Sequence, residues 1–411
     1  MAAVAVAELA VWLLRPRAPA PEPAPVEARA YFTEQQIERG EDFRGGQRLI
    51  LLGTLAVEGG VLLLLALGRP RFARRALGRA GARPVAGAAL AGAGISLALA
   101  VVTLPLGAAA HERSVDAGLS TQSFGAWLGD HGKAAAIGAL LAGTGATALL
   151  ALVRRFPRRW WIGAAAGTVA LGAIFAWLAP VLLAPIFNRF EPLPPGKARG
   201  DVLELARRAG VDIGAVYRVD ASRRSRALNA YVDGLGPTKR VVVYDNLLAA
   251  RDRDVLRSVL AHELGHVKER DIQRGLLWLA LVAPAAMLLV RELAGSLQRR
   301  TGVEAGTPAS LPALALSLAL VSLVLGSVSN QLSRRVETRA DAYSLQLTRD
   351  PEGMIELQRR LTVSNVADPD PPEVLQLLLG THPTTVERIG AALVFERQTR
   401  SARDPRSRAG S

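Results

Sequence analysis

The chain of 411 residues has no cysteine, few aromatics (5%), and basic residues that are almost entirely Arg. Without cysteine there can be no disulfide, no Cys-ligated zinc, no thiol catalysis and no lipid attached through sulfur to this chain. With aromatics scarce, the 50% hydrophobic content is mainly Ala, Leu and Val, and the mean hydropathy is +0.22. That mixture suits lipid-facing helices better than one large aqueous core. Acidic residues are outnumbered, 36 to 50, for a net charge of +14. A nucleic-acid binder could carry that charge but would not need long uncharged apolar runs, so nucleic acid is not an expected partner. Arginine clustered between such runs is a membrane pattern.

A hydrocarbon core of roughly 30 Å needs about 20 residues of helix. Five runs are long enough: Leu49–Leu67, Val85–Leu106, Ala134–Val153, Trp160–Phe187 and Ser310–Ser329. A sixth, Gly275–Val290, can extend into Arg291–Leu297. A seventh candidate, Met1–Leu14, has no basic residue before it and no clear small-residue cleavage site after it, which favours a retained helix over a signal peptide. Seven spans are expected, or six without this segment. The division that follows is a membrane domain of five spans over residues 1–187, a second domain over 188–400 that includes spans at 275–297 and 310–329, and a basic tail over 401–411.

The insert Asn188–Arg274 is mixed in charge and alternates in period. Lys197–Ala209 has helical spacing and ends at Gly210. Ala215–Val219, Ala230–Val232 and Val241–Tyr244 read as short strands. In Asp252–Glu269 the apolar residues Val255, Leu256, Val259, Leu260, Leu264 and Val267 share one helical face. On that helix lies His262-Glu263-Leu264-Gly265-His266. Residues four apart share a face, so two imidazoles can converge on one metal ion, with Glu263 beside them as a base for the attacking water. Two surface histidines spaced four apart by chance are the plain alternative, but a chain with five histidines seldom produces the whole pentad. Zinc fits the donor set best, one ion per chain, and a catalytic zinc needs a third protein ligand. Glu337 and Asp341, beyond the last span, are four apart and share a face. One can bind the metal while the other holds a ligating imidazole by its second nitrogen. Beside the pentad, Glu337 is the expected ligand.

These residues resemble the membrane zinc metalloproteases of the CAAX prenyl protease 1 type, the type I prenyl endopeptidases. The likeness runs through Phe190-Glu191-Pro192-Leu193-Pro194, Asp220–Ser225, Asn229-Ala230-Tyr231, Tyr244–Leu247, the pentad, Ser333–Asp341, and His382-Pro383 with Arg388. It implies a mainly α membrane protein. About seven transmembrane helices would form a barrel around a water-filled chamber, joined to a gluzincin-like α/β zinc protease domain. It also implies His262, His266 and Glu337 as zinc ligands, Glu263 as base, and Asp341 behind a ligand. Asn229, Ala230 and Tyr231 would lie on an edge strand that receives the substrate backbone, while His382 and Arg388 would face the zinc and stabilise the oxyanion. The implied substrate is a peptide or protein, membrane-associated or lipidated. The chain departs from the family at Val267–Asp271, where a further His is usual at position 271, and at Val232-Asp233-Gly234; neither departure is expected to touch a ligand.

Three rival readings start from the same residues. An HtpX-type quality-control zinc protease shares the motif but typically has fewer spans. A channel or scaffold with a decayed protease domain sits poorly with an intact Glu263 and Glu337. A transporter would use Glu8 and Glu58, which are costly in lipid. The expected location is a cell membrane, multi-pass, with the active site on the cytoplasmic side. Arg15 and Arg17 follow the first helix and no basic residue precedes it. The six Arg of Gly68–Arg83 and the four of Arg154–Arg159 would then lie outside, against the positive-inside tendency.

Overall fold

The computed structural model describes residues 1–403; positions 404–411 of the expected basic tail lie outside the described residues. The first half is helical: α1 (Ala2–Leu14), α2 (Glu34–Leu63, carried by a π turn to Gly68), α3 (Arg71–Ala80), α4 (Pro84–Asp116), α5 (Phe124–Arg155), α6 (Trp160–Leu182) and the single turn α7 (Ala184–Phe187). Polar caps set several starts. Thr33 and Gln36 form a reciprocal capping box at α2, and Ser123 accepts from the Ala126 N–H at α5.

Among the described residues, six helices are long and apolar enough to cross a membrane, counting α11 (Asp271–Thr301) and α12 (Leu311–Thr348) of the second half. All six runs read as full spans lie inside them. The 13 residues of α1 reach roughly 20 Å, short of a hydrocarbon core, and one face of that helix (Ala3, Ala7, Ala10, Val11) is buried. The six long helices pack in a closed ring, α2–α4–α5–α6–α11–α12, with α12 returning to α2 and α1 lying against α11 and α12. Small residues let them approach: a Cβ on Gly92 would stand 2.6 Å from the Ala142 carbonyl, and one on Gly143 would stand 2.9 Å from that of Ala89. Only 11% of the apolar stretch of α2 and 6% of that of α6 is buried. Helices so little covered in a closed ring expose an inner face as well as an outer one, as a chamber-forming barrel requires.

The second half continues at one end of the ring. It comprises β1 (Phe190–Pro192), α8 (Lys197–Ala209), β2 (Ala215–Val219), β3 (Ala230–Asp233), β4 (Arg240–Tyr244), α9 (Asp245–Ala249) and α10 (Arg253–Lys268), then α11 and α12, then α13 (Pro351–Ser364), α14 (Glu373–Leu379) and α15 (Thr385–Arg403). The expected helix at 197–209 ends at Gly210, which takes the left-handed conformation at φ 64°. The sheet order is β1-β2-β4-β3, with β2 parallel to β4 and the outer pairs antiparallel, so β3 is an edge. β1 was not legible as a strand, being three residues long with a proline. A core of Val202, Leu205, Val241, Val243, Leu260, Leu264, Met354, Leu357 and neighbours joins the sheet to α8, α10 and α13. The helix α15 runs through Ser401 to Arg403.

Candidate metal centre

Two helices build the centre. α10 begins at Asp252, whose side chain accepts from the Asp254 and Val255 N–H groups, and it presents His262 and His266 one turn apart. α12 has 38 residues and reaches roughly 57 Å, far more than a span needs. Its continuation out of the ring carries Glu337 and Asp341 to α10. The two axes close at Gly265: a Cβ there would stand 3.2 Å from Ala340 Cα, so a larger residue would hold the carboxylates away from the imidazoles. Ser344 Oγ donates to the Ser258 carbonyl at 3.0 Å and ties the same helices one turn further on.

Among the described residues, His262, His266 and Glu337 form the one group of metal-binding type whose donor atoms converge. The two Nε2 atoms are 3.1 Å apart. Glu337 oxygens lie 3.2 Å from His262 Nε2 and 3.6 Å from His266 Nε2. Donor atoms bound to one tetrahedral ion at about 2.0–2.1 Å are ~3.3–3.4 Å apart, so the spacing fits such an ion. The donor chemistry fits as well. Glu337 Oε2 is buried and accepts no well-aligned hydrogen bond among the described residues. His262 Nδ1 is 2.8 Å from Asp341 Oδ1 and His266 Nδ1 is 2.9 Å from Asp271 Oδ2, so each ring is held at its far nitrogen and turns its Nε2 inward. Burial would lower the His262 pKa, but the Asp341 and Glu337 carboxylates reverse this and raise it to about 10. The pocket stabilises positive charge, which a bound metal ion would supply in place of a proton.

Around the centre the other expected residues fall in different places. Glu263 is pushed above the usual carboxylate range by burial, partly offset by the two histidines, and its Oε2 accepts from the Val232 N–H of β3 at 3.4 Å. Since Asn229 accepts from the Tyr244 N–H, the alternation of an antiparallel pair turns the peptide groups of Ala230 and Val232 to the free edge. That edge therefore faces the metal helix. His382 stands on the loop before α15 with Nε2 3.4 Å from Glu337 Oε2. Arg334, unremarked in the sequence, fixes that loop by donating to the Gln376, Leu377 and Gly380 carbonyls.

Arg388 is arranged differently from the expectation. Its guanidinium donates twice to Asp341, at 2.8 and 2.6 Å, and therefore sits behind Asp341, which in turn holds His262 Nδ1. The departure at Asp271 also needs correcting: this residue does touch a ligand, because the left-handed Arg270 (φ 58°) turns the chain so that α11 starts beside His266. A histidine at that position would lack the carboxylate that Asp271 offers.

Residues 194–394 match peptidase family M48, and residues 90–189 match the family described as CAAX prenyl protease N-terminal, five membrane helices. The "uncharacterized metalloprotease YhfN" of Bacillus subtilis is 31% identical over 72% of this chain and 70% of its own length. A "CAAX prenyl protease 1 homolog" of Arabidopsis thaliana is 31% identical over 54% of this chain and 53% of its own. The crystal structure of S. mikatae Ste24p superposes with a TM-score of 0.77 at 19% identity, covering 95% of this chain and 97% of that one, and so has the same fold.

Proposed function

The chain belongs to peptidase family M48 and is an integral-membrane metalloendopeptidase; from that premise we propose that its metal is zinc, one ion per chain, held by His262, His266 and Glu337. A zinc ion bound there would polarise the scissile carbonyl and lower the pKa of a water toward about 7. Glu263 takes the proton from the attacking water and later delivers it to the leaving amine, a role suited to a buried carboxylate whose pKa is raised. The substrate backbone lies along the free edge of β3, paired with the peptide groups of Ala230 and flanked by Asn229 and Tyr231. His382, whose Nε2 lies beside Glu337 Oε2, donates to the developing oxyanion. Asp341 orients His262, and Arg388 holds Asp341; Arg388 is thus a positioning residue here. The domains are those of the sequence division, 1–187 for the membrane part and 188–400 for the peptidase.

The observation that carries this reading is the convergence of His262, His266 and Glu337, each offering one ligand atom, within 4.8 Å of one another. The test is metal content beside activity. Purified protein should hold one zinc and lose peptidase activity to a chelator. Glu263→Gln should keep zinc but lose activity, and Glu337→Ala should lose zinc. Full activity in Glu263→Gln would sink the mechanism.

We further propose a membrane-associated substrate carrying an apolar or lipid group. An apolar cleft of about 500 Å³ opens between Phe175, Pro180 and Phe187 of the membrane helices, Val232 of β3, and Ile272. It adjoins the proposed substrate edge. A farnesylated peptide should therefore be cut with a lower KM than its unmodified counterpart; equal KM values would remove the lipid from the proposal. We also propose a cell membrane with the centre on the cytoplasmic side, because Arg15 and Arg17 follow the first apolar segment and no basic residue precedes it.

A further inference from the structure

At the end of the ring opposite the metal centre, α2 unwinds through a π turn (Leu64–Gly68) and the chain reverses at Arg69. Arg69 holds a left-handed conformation (φ 45°) that an arginine seldom adopts, fixed by a 2.6 Å hydrogen bond from its Nη1 to the Thr301 carbonyl at the end of α11. That bond joins segments far apart in sequence. It leaves a cleft of about 490 Å³ whose charged lining is Arg69, Arg71, Arg74 and Arg300. Among the described residues, no Asp or Glu lines the cleft. The side chains of Arg71, Arg74 and Arg300 have no hydrogen-bond or ion-pair partner among the described residues. α3, which forms one wall, is strongly two-faced. Ala73 is buried and Leu77 packs on the membrane core, while Phe72 is 70% exposed beside the arginines. Leu67 lines the cleft and Leu64 lies one turn before it on the same segment, and both are exposed.

We propose that this cleft binds the phosphate of an anionic glycerophospholipid, its acyl chains running down the outer surface past Leu64, Leu67 and Phe72. Guanidinium groups meet phosphate oxygens in two-pronged hydrogen bonds, and four of them without a carboxylate exceed what one phosphodiester needs. A basic pocket between membrane helices at headgroup depth, beside an amphipathic helix with an exposed aromatic, matches such a lipid in both its charged and its apolar parts. A soluble anion would use the arginines and leave the apolar mouth uncovered.

The full-length protein in phosphatidylcholine nanodiscs is titrated with phosphatidylglycerol, and bound lipid is counted by native mass spectrometry. The wild type should retain one phosphatidylglycerol in preference to phosphatidylcholine. A variant combining R71Q, R74Q and R300Q should weaken that retention by roughly 10²-fold, each arginine near an anionic surface contributing about a factor of five. A second variant combining R75Q, R79Q and R83Q removes the same charge from outside the cleft and should retain the lipid as the wild type does. Equal losses in the two variants would overturn the site in favour of diffuse attraction, and so would equal retention of phosphatidylcholine. Saturable binding of inorganic phosphate, abolished by the same three substitutions and competing with the lipid at equal concentration, would assign the cleft to a soluble anion. Unchanged melting in pure phosphatidylcholine shows that the variants are folded.

Discussion

His382 and Arg388 were expected to share one task, and their surroundings divide it. His382 reaches Glu337 from the open side with its Nε2. The Arg388 guanidinium is spent on Asp341, whose buried carboxylate stands between it and His262. Removing either should therefore have a different consequence. His382→Ala should lower kcat by about 10²–10³-fold with zinc retained, the usual cost of losing an oxyanion donor. Arg388→Ala leaves Asp341 buried without its cation and frees the group that orients His262. Zinc affinity should fall about 10–100-fold, as when such outer partners are lost elsewhere. Metal competition assays on both variants, beside kcat at saturating zinc, separate the two roles. Zinc binding unchanged in Arg388→Ala would return Arg388 to the oxyanion.

Among the elements, α12 carries the greatest demand, because one helix serves the membrane ring and the metal centre. The apolar window of the α12 segment is 50% buried, against 22% or less for the other five spans, as befits a helix packed by α1, α2 and α11. Its continuity fixes the rotational phase of Glu337 relative to the membrane part. A single alanine inserted after Ser329 would turn everything beyond it by about 100° and advance it by about 1.5 Å. Glu337 and Asp341 would then leave the face that meets Gly265. The expected result is a chain that still inserts into membranes and has lost its zinc, read by metal analysis of the purified protein. Retained zinc would mean that the helix yields between membrane and centre. The sequence showed a span ending at Ser329 and a carboxylate pair after it, but not that they are one rod, since apolar composition stops at the membrane boundary and helical periodicity does not.

Across the whole molecule, charge is sorted by side. The Arg-rich stretches 68–83 and 154–159, with Arg299 and Arg300, come together at one end of the ring, where Arg69 bonds to Thr301 and Arg154 Nε donates to the Gly306 carbonyl. Glu304 is the one acid in the connecting stretches at that end. The metal centre lies at the other end, together with the segment after α1, where Ala24 packs on Gly390. This gathering favours a second reading of sidedness, with the arginine face in the cytoplasm and the peptidase outside. The absence of cysteine makes the experiment clean, because an introduced thiol is the only one. Ala76→Cys, exposed on α3, and Glu352→Cys, exposed on α13, sample the two ends. With an impermeant maleimide on intact cells, a cytoplasmic metal centre requires that the first variant labels and the second labels only after lysis. The reverse pattern would place the peptidase outside.

What the sequence determined by itself was local. Apolar length marked the spans, spacing by four paired His262 with His266 and Glu337 with Asp341, and β-branched runs marked three of the four strands. Each of these depends on neighbours along the chain, so periodicity carries the information. The tertiary structure decided what depends on distant segments meeting. It closed α12 on α2, placed Asp271 behind His266, and gave Arg388 to Asp341. It also turned the free edge of β3 toward Glu263 and brought Arg300 to the arginines of α3. A guanidinium can reach any carboxylate the fold brings near, and its position in the chain does not say which one.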